Sequence, residues 1–137
     1  MGVLLLILFL LSGVYVFKLI LKRKLNIYKI LLLILILTAG YLYAYNMRIL
    51  EEKIHLIKYG ILGWLLISDL IKTKHRLYLS IILSLLCCLL VVSIDESIQY
   101  FLPWRVGDMR DVWFALIGGL WGILLYITSL APSGKKI

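Results

Sequence analysis

Acidic side chains are scarce in this sequence: seven among 137 residues, against fifteen Lys and Arg. Charged residues of both signs make up 16% and hydrophobic residues 64%, where a soluble domain is usually about 45–50% apolar. Too little charge is present to cover a soluble globule. Long polar stretches are missing as well, so no separate soluble domain is expected and residues 1–137 read as one integral-membrane domain. Cysteine is limited to the adjacent Cys87 and Cys88. Neighbours on a helix point about 100° apart and rarely bridge, so they read as small packing residues ahead of redox or metal ligands. No basic segment precedes the first apolar run, and no small-x-small cleavage site follows it. A cleaved signal peptide is thereby disfavoured against an uncleaved first span. An activated serine or cysteine nucleophile is also absent, and no internal inverted repeat suggests a transporter.

What the chain has in quantity is apolar runs of about 18 residues or more, the length that crosses a bilayer as a helix. Five spans are expected, at about 3–21, 27–45, 54–71, 77–94 and 112–130. The fold class is all-α, a polytopic transmembrane helical bundle. The net charge of +8 does not point to nucleic acid, because the basic residues sit in short clusters beside the spans. Lys18, Lys22, Arg23, Lys24, Lys29, Lys72, Lys74, Arg76, Lys135 and Lys136 fall on one side. Arg48, Lys53, Lys58, Arg105 and Arg110 fall on the other. Basic residues mark cytoplasmic ends. The expected topology therefore has the N-terminus outside, the C-terminus cytoplasmic, and the connections 46–53 and 95–111 sharing the extracytoplasmic side of the cell membrane.

Six of the seven acids lie in or beside those two connections. Polar groups at the edge of a hydrocarbon layer are costly and are candidates for function. Three stripes emerge. In the first, Glu51, Glu52, His55 and Tyr59 lie within about a 100° arc of one helix. Arg48 falls inside it and Lys58 just beside it. A purely structural reading, charge pairs in the headgroup zone, competes here with a functional one. In the second, Asp95, Glu96 and Gln99 close the fourth span, and Pro103 stops the helix near Phe101 or Leu102. Acids at a helix C-terminus oppose the macrodipole and call for a compensating partner, Arg105 or a ligand. In the third, Asp108 or Asp111 opens the fifth span, where N-capping alone is a sufficient reason for either. Ala115, Gly118 and Gly122 continue that face, and Gly118 with Gly122 forms a small-xxx-small pattern that admits a neighbouring helix closely. Ser80, Ser84 and Cys88 make a similar stripe on the fourth span. Trp104, Trp113, Tyr100, Tyr43 and Tyr45 read first as an interfacial aromatic belt. Asp69 is expected to pair with Lys72 or Lys74.

The order of these parts resembles the VanZ-like family of small bacterial membrane proteins. It comprises Glu52-x-x-His55 with Tyr59, then Asp95-Glu96-x-x-Gln99, Pro103-x-Arg105, Gly107-Asp108-x-x-Asp111, and a glycine-rich helix with Gly118 and Gly122. The resemblance is strongest over residues 48–122. It departs at Ala115, where the family pattern often carries Asn. What the resemblance implies is a cell-envelope membrane protein. The family takes its name from a protein conferring low-level resistance to the glycopeptide antibiotic teicoplanin, so antibiotic resistance is a weaker implication.

Three functional classes fit the stripes. In the first, an outer-face cradle of Glu52, Tyr59, Gln99, Arg105, Asp108 and Asp111 binds a lipid-linked cell-wall precursor or a glycopeptide, with arginine suited to phosphate and carboxylate. Its difficulty is the number of acids facing an anion. In the second, the protein is an enzyme on lipid-linked precursors, with His55 as general acid or base and Glu96 or Asp95 as the second group. The third is a metal site. Glu52-x-x-His55 has the spacing of di-iron bundles, but the second element, Glu96-x-x-Gln99, lacks the imidazole. No cofactor is expected on that basis, with a hard divalent cation on the carboxylates left open. Membrane lipids are expected partners in every case.

Overall fold

Each of the last four apolar runs forms one helix, and each helix outlasts its run. In the computed structural model these are α1 (Ile27–Asn46), α2 (Leu50–Lys72), α3 (Leu77–Tyr100) and α4 (Met109–Leu130). The structure describes residues 11, 14, 17–18, 26–73, 76–101 and 109–130. Most of the first expected span lies outside these, although Leu11, Val14, Phe17 and Lys18 are helical. Among the described residues there is no strand. With 20 to 24 residues apiece, the four helices are about 30–36 Å long at 1.5 Å per residue. They are long and apolar enough to cross a membrane.

The extra turns are polar. Helix α2 begins with Leu50-Glu51-Glu52-Lys53, and its first-turn acids suit the positive end of the helix. Helix α3 runs on through Asp95, Glu96 and Gln99, and its cap is Phe101, two residues before Pro103. Both stripes are thus presented on rigid helix ends.

The burial pattern is that of a bundle in lipid. Large apolar side chains such as Leu31, Leu35, Ile61, Leu65, Leu86 and Leu90 face outward, while His55, Ser80, Ser84, Gln99, Asp111, Thr128 and Ser129 face inward. Lipid solvates the first group, and polar groups in a bilayer turn toward protein. The buried hydroxyls of Ser84 and Thr128 donate to the carbonyls of Ser80 and Leu124, each at 2.8 Å, so neither is left orphaned in the apolar interior.

Helices α2 and α4 are the most closely packed pair, and the reason is glycine. A Cβ on Gly122 would run into the backbone of Gly60, and one on Gly118 into the backbone of Leu56. The constant offset of these partners makes α2 and α4 parallel. Helix α3 is antiparallel to α2, since Asp95 meets Tyr59 at one end and Ser80 meets Leu70 at the other. Helix α1 runs antiparallel to α4: Trp121 Nε1–H donates to the Ile36 carbonyl at 3.0 Å, and Tyr43 lies against Phe114. The expected small-residue stripe on α3 is buried against this core, with Cys88 packed among Tyr59, Val92 and Ala115. This topology puts the start of α2, the end of α3 and the start of α4 at one end of the bundle.

Candidate functional site at the shared helix ends

His55 is the centre of that end. It sits on the second turn of α2 and is 4% exposed. Its Nδ1 lies 3.0 Å from the Glu51 carbonyl oxygen. A carbonyl only accepts, so Nδ1 carries the proton and Nε2 is aimed the other way. In that direction stand Asp95 Oδ2 at 3.8 Å and Glu96 Oε1 at 3.7 Å. Both distances exceed the about 2.7–3.2 Å of a hydrogen bond, and Nε2, fully buried, makes none. Tyr59, one turn along α2, stacks on the imidazole with centroids 5.9 Å apart and planes 15° from parallel. That contact fixes the ring plane.

The two neighbouring acids of α3 have different surroundings. Asp95 accepts from Lys58 Nζ at 2.5 Å and from the Tyr59 hydroxyl at 3.4 Å. Lys58 Nζ also lies 5.1 Å above the Tyr59 ring centroid. The Glu96 side chain is 12% exposed against 30% for Asp95, so Glu96 faces the bundle interior and Asp95 its rim. From the first turn of α4, Asp111 reaches the same place. One donor atom each from His55, Glu96 and Asp111 lie within 4.8 Å of one another. Three helices therefore deliver one imidazole and two carboxylates to a single point.

The residues expected from sequence divide as follows. His55, Tyr59, Asp95, Glu96 and Asp111 come together. Gln99 is buried one turn beyond Asp95 on α3. Glu52 is half-buried and is not part of the converging donor group. Arg105 and Asp108 lie outside the described residues. Lys58 was missed as the cation that meets Asp95. The signal was its position beside the His55 stripe, one turn from His55. Ala115 is fully buried one turn below Asp111, against Tyr59 and Cys88. An apolar floor thus stands where the family pattern often has an amide. Of the aromatics read as an interfacial belt, Tyr43, Tyr45, Tyr100 and Trp113 are exposed, and Trp104 lies outside the described residues. At the opposite end of α2, Asp69 pairs with Lys72 at 2.8 Å, as its spacing suggests.

Bilayer-length helices that turn apolar faces outward and bury an imidazole among carboxylates define an α-helical integral membrane protein with an interior polar site. The chain belongs to the VanZ-like family, whose VanZ/LLP1 model matches residues 1–130. No curated protein and no solved structure matches the chain.

Proposed function

We propose that the cluster is a binding site for the polar headgroup of a lipid-linked envelope precursor or a lipophilic glycopeptide, entered from the extracytoplasmic leaflet of the cell membrane. One observation carries this reading. Three helix ends hold His55, Glu96 and Asp111 together with little exposure, in a bundle that turns many large apolar side chains outward. Placing such groups at a membrane boundary costs free energy, which a bundle held by apolar and glycine contacts does not require. Lys58 offsets Asp95, and arginine is suited to a phosphate or carboxylate, the role that the sequence suggests for Arg105. Sequestering a glycopeptide or its target lipid at this site would give the resistance that the family name suggests.

A second reading has its own support. His55 Nε2 between two carboxylates is the geometry of a general acid or base. In this version the protein hydrolyses or transfers a group on the same lipid-linked substrate, through activated water or a carboxylate.

The test is thermal stability of the detergent-purified protein with undecaprenyl phosphate, lipid II or teicoplanin, beside Glu96→Gln and Arg105→Ala. Binding to the folded state alone adds about 2.7 kcal/mol at a hundredfold excess over Kd. A ligand that stabilises wild type and neither variant supports the site. Turnover of that ligand, lost in His55→Ala, selects the enzyme. No shift with any of the three would leave a charge network that merely holds the helices together.

A further inference from the structure

We propose that His55 Nε2, one Glu96 carboxylate oxygen and one Asp111 carboxylate oxygen bind a single divalent transition-metal ion of the Zn²⁺ or Mn²⁺ type. The hydrogen bond from Nδ1 to Glu51 decides the tautomer, so a neutral ring turns its Nε2 lone pair toward Asp95 and Glu96. The buried Nε2 lone pair has no hydrogen-bond partner and points toward carboxylates, a place that a cation suits. A proton on Nε2 would draw a carboxylate in to about 2.7–2.9 Å, yet the nearest stands at 3.7 Å. A metal about 2.1 Å from each of two donors holds them about 3.4 Å apart in tetrahedral geometry. The observed gap lies much nearer that value.

The surroundings of the histidine ring agree. Metal-bound histidines almost always donate the other ring N–H to a carbonyl or carboxylate, which fixes the ring. Here Glu51 O takes that proton and Tyr59 stacks on the ring face. Asp95 is held to the side by Lys58 and Tyr59, so the converging group is His55, Glu96 and Asp111. A nitrogen donor beside two carboxylates favours Zn²⁺, Mn²⁺ or Fe²⁺ over Mg²⁺ and Ca²⁺, which take oxygen. Three protein donors leave a coordination position open. An ion here would offset the acids that otherwise repel an anionic headgroup. The site shares its residues with the proposed lipid site but does not depend on it, because the metal alone is the probe.

The experiment is titration of the chelator-treated, full-length protein in detergent with Co²⁺ and Zn²⁺, read by visible absorption and by metal content after desalting. The expected result is about one metal per chain, displaced from Co²⁺ by Zn²⁺. Loss of an outer partner costs about 10–100-fold in affinity, so His55→Ala, Glu96→Gln and Asp111→Asn are each expected to lose about 100-fold or more. Asp69→Asn, at the far end of α2, and His75→Ala, which removes the other histidine of the sequence, retain wild-type affinity. Wild type without stoichiometric Co²⁺ overturns the proposal even if every cluster variant misfolds. So does a folded His55→Ala protein that still binds one ion with the same spectrum. Lipid binding without metal, or metal binding without lipid, separates this inference from the reading of the site as a headgroup cradle.

Discussion

Gly122→Ala tests how the bundle brings its polar residues together. In an isolated helix the substitution is favourable by up to about 1 kcal/mol, because alanine is the better helix former. In this protein the new methyl meets the Gly60 backbone and approaches the Trp64 amide nitrogen at 3.0 Å. Neither is a side-chain tip that can swing away. Helices α2 and α4 must separate or slide, and overpacking of that kind costs about 1–3 kcal/mol, occasionally more. Because the methyl meets backbone that cannot swing away, the upper end of that range applies, and a net loss of about 2 kcal/mol is expected once the propensity gain is subtracted. Gly119→Ala is the matched control. Its Cβ would stand 3.1 Å from Cys88 Sγ, a single side-chain atom that can give by a few tenths of an ångström. It should cost less than Gly122→Ala or be neutral. The assay is reversible unfolding in mixed micelles, followed by tryptophan fluorescence, with all three proteins compared at one detergent composition. Gly122→Ala as stable as wild type, or less damaging than Gly119→Ala, would refute the claim that backbone contact between α2 and α4 sets the spacing of the site.

Three further outcomes are expected. Trp121→Phe removes the only donor reaching the Ile36 carbonyl from that side chain, so unfolding in the same assay should show a loss of about 0.5–1.5 kcal/mol. Lys58→Met removes a partly exposed ion pair and should cost less than about 1 kcal/mol after screening. If the Lys58 cation serves the ligand as well, the same variant weakens headgroup binding out of proportion to its stability loss. For topology, single cysteines at Asn46 and Arg48, in a background with Cys87→Ala and Cys88→Ala, should react with a membrane-impermeant maleimide added outside intact cells. Reaction only after the membrane is opened would reverse the assigned orientation.

The helices were legible because their signal is composition over about 18 residues, which no local detail overrides. Their polar ends were legible from other signals, since Pro103 puts the end of α3 near Phe101 or Leu102 and Asp108 or Asp111 marks the opening of α4. The apolar runs stop near residues 94 and 112, whereas α3 continues to Tyr100 and α4 begins at Met109. Those polar turns carry Asp95, Glu96, Gln99 and Asp111. The stripes themselves could be read from the 100° helical step, since it places His55 and Tyr59 on one face whatever the neighbours do. Pairing of His55 with Glu96 or Asp95 across stripes was expected from their shared membrane depth, but the exact contacts could not be read. They depend on how α2, α3 and α4 are rotated and offset, and glycine contacts set that relation for α2 and α4. Hence the contact of Lys58 with Asp95 was not read from sequence, while Arg105, the expected partner of the α3 acids, lies outside the described residues. Glu52 was one expected acidic companion of His55 and Glu96 or Asp95 another; the converging donors are His55, Glu96 and Asp111, without Glu52. The small-residue stripes on α3 and α4 pointed correctly to buried faces, but the donor–acceptor link from Trp121 to α1 had no sequence signature.

The most direct test of the central claim is a double-mutant cycle between His55→Ala and Glu96→Gln, read as unfolding free energy in mixed micelles. Residues more than about 7–10 Å apart are additive within about 0.3–0.5 kcal/mol, while contacting members of one network couple by about 0.5–3 kcal/mol. With Nε2 and Oε1 separated by 3.7 Å, the account predicts coupling above about 0.5 kcal/mol, and more when Zn²⁺ is present. Clean additivity in both conditions would contradict it, because α2 and α3 would then not share a site.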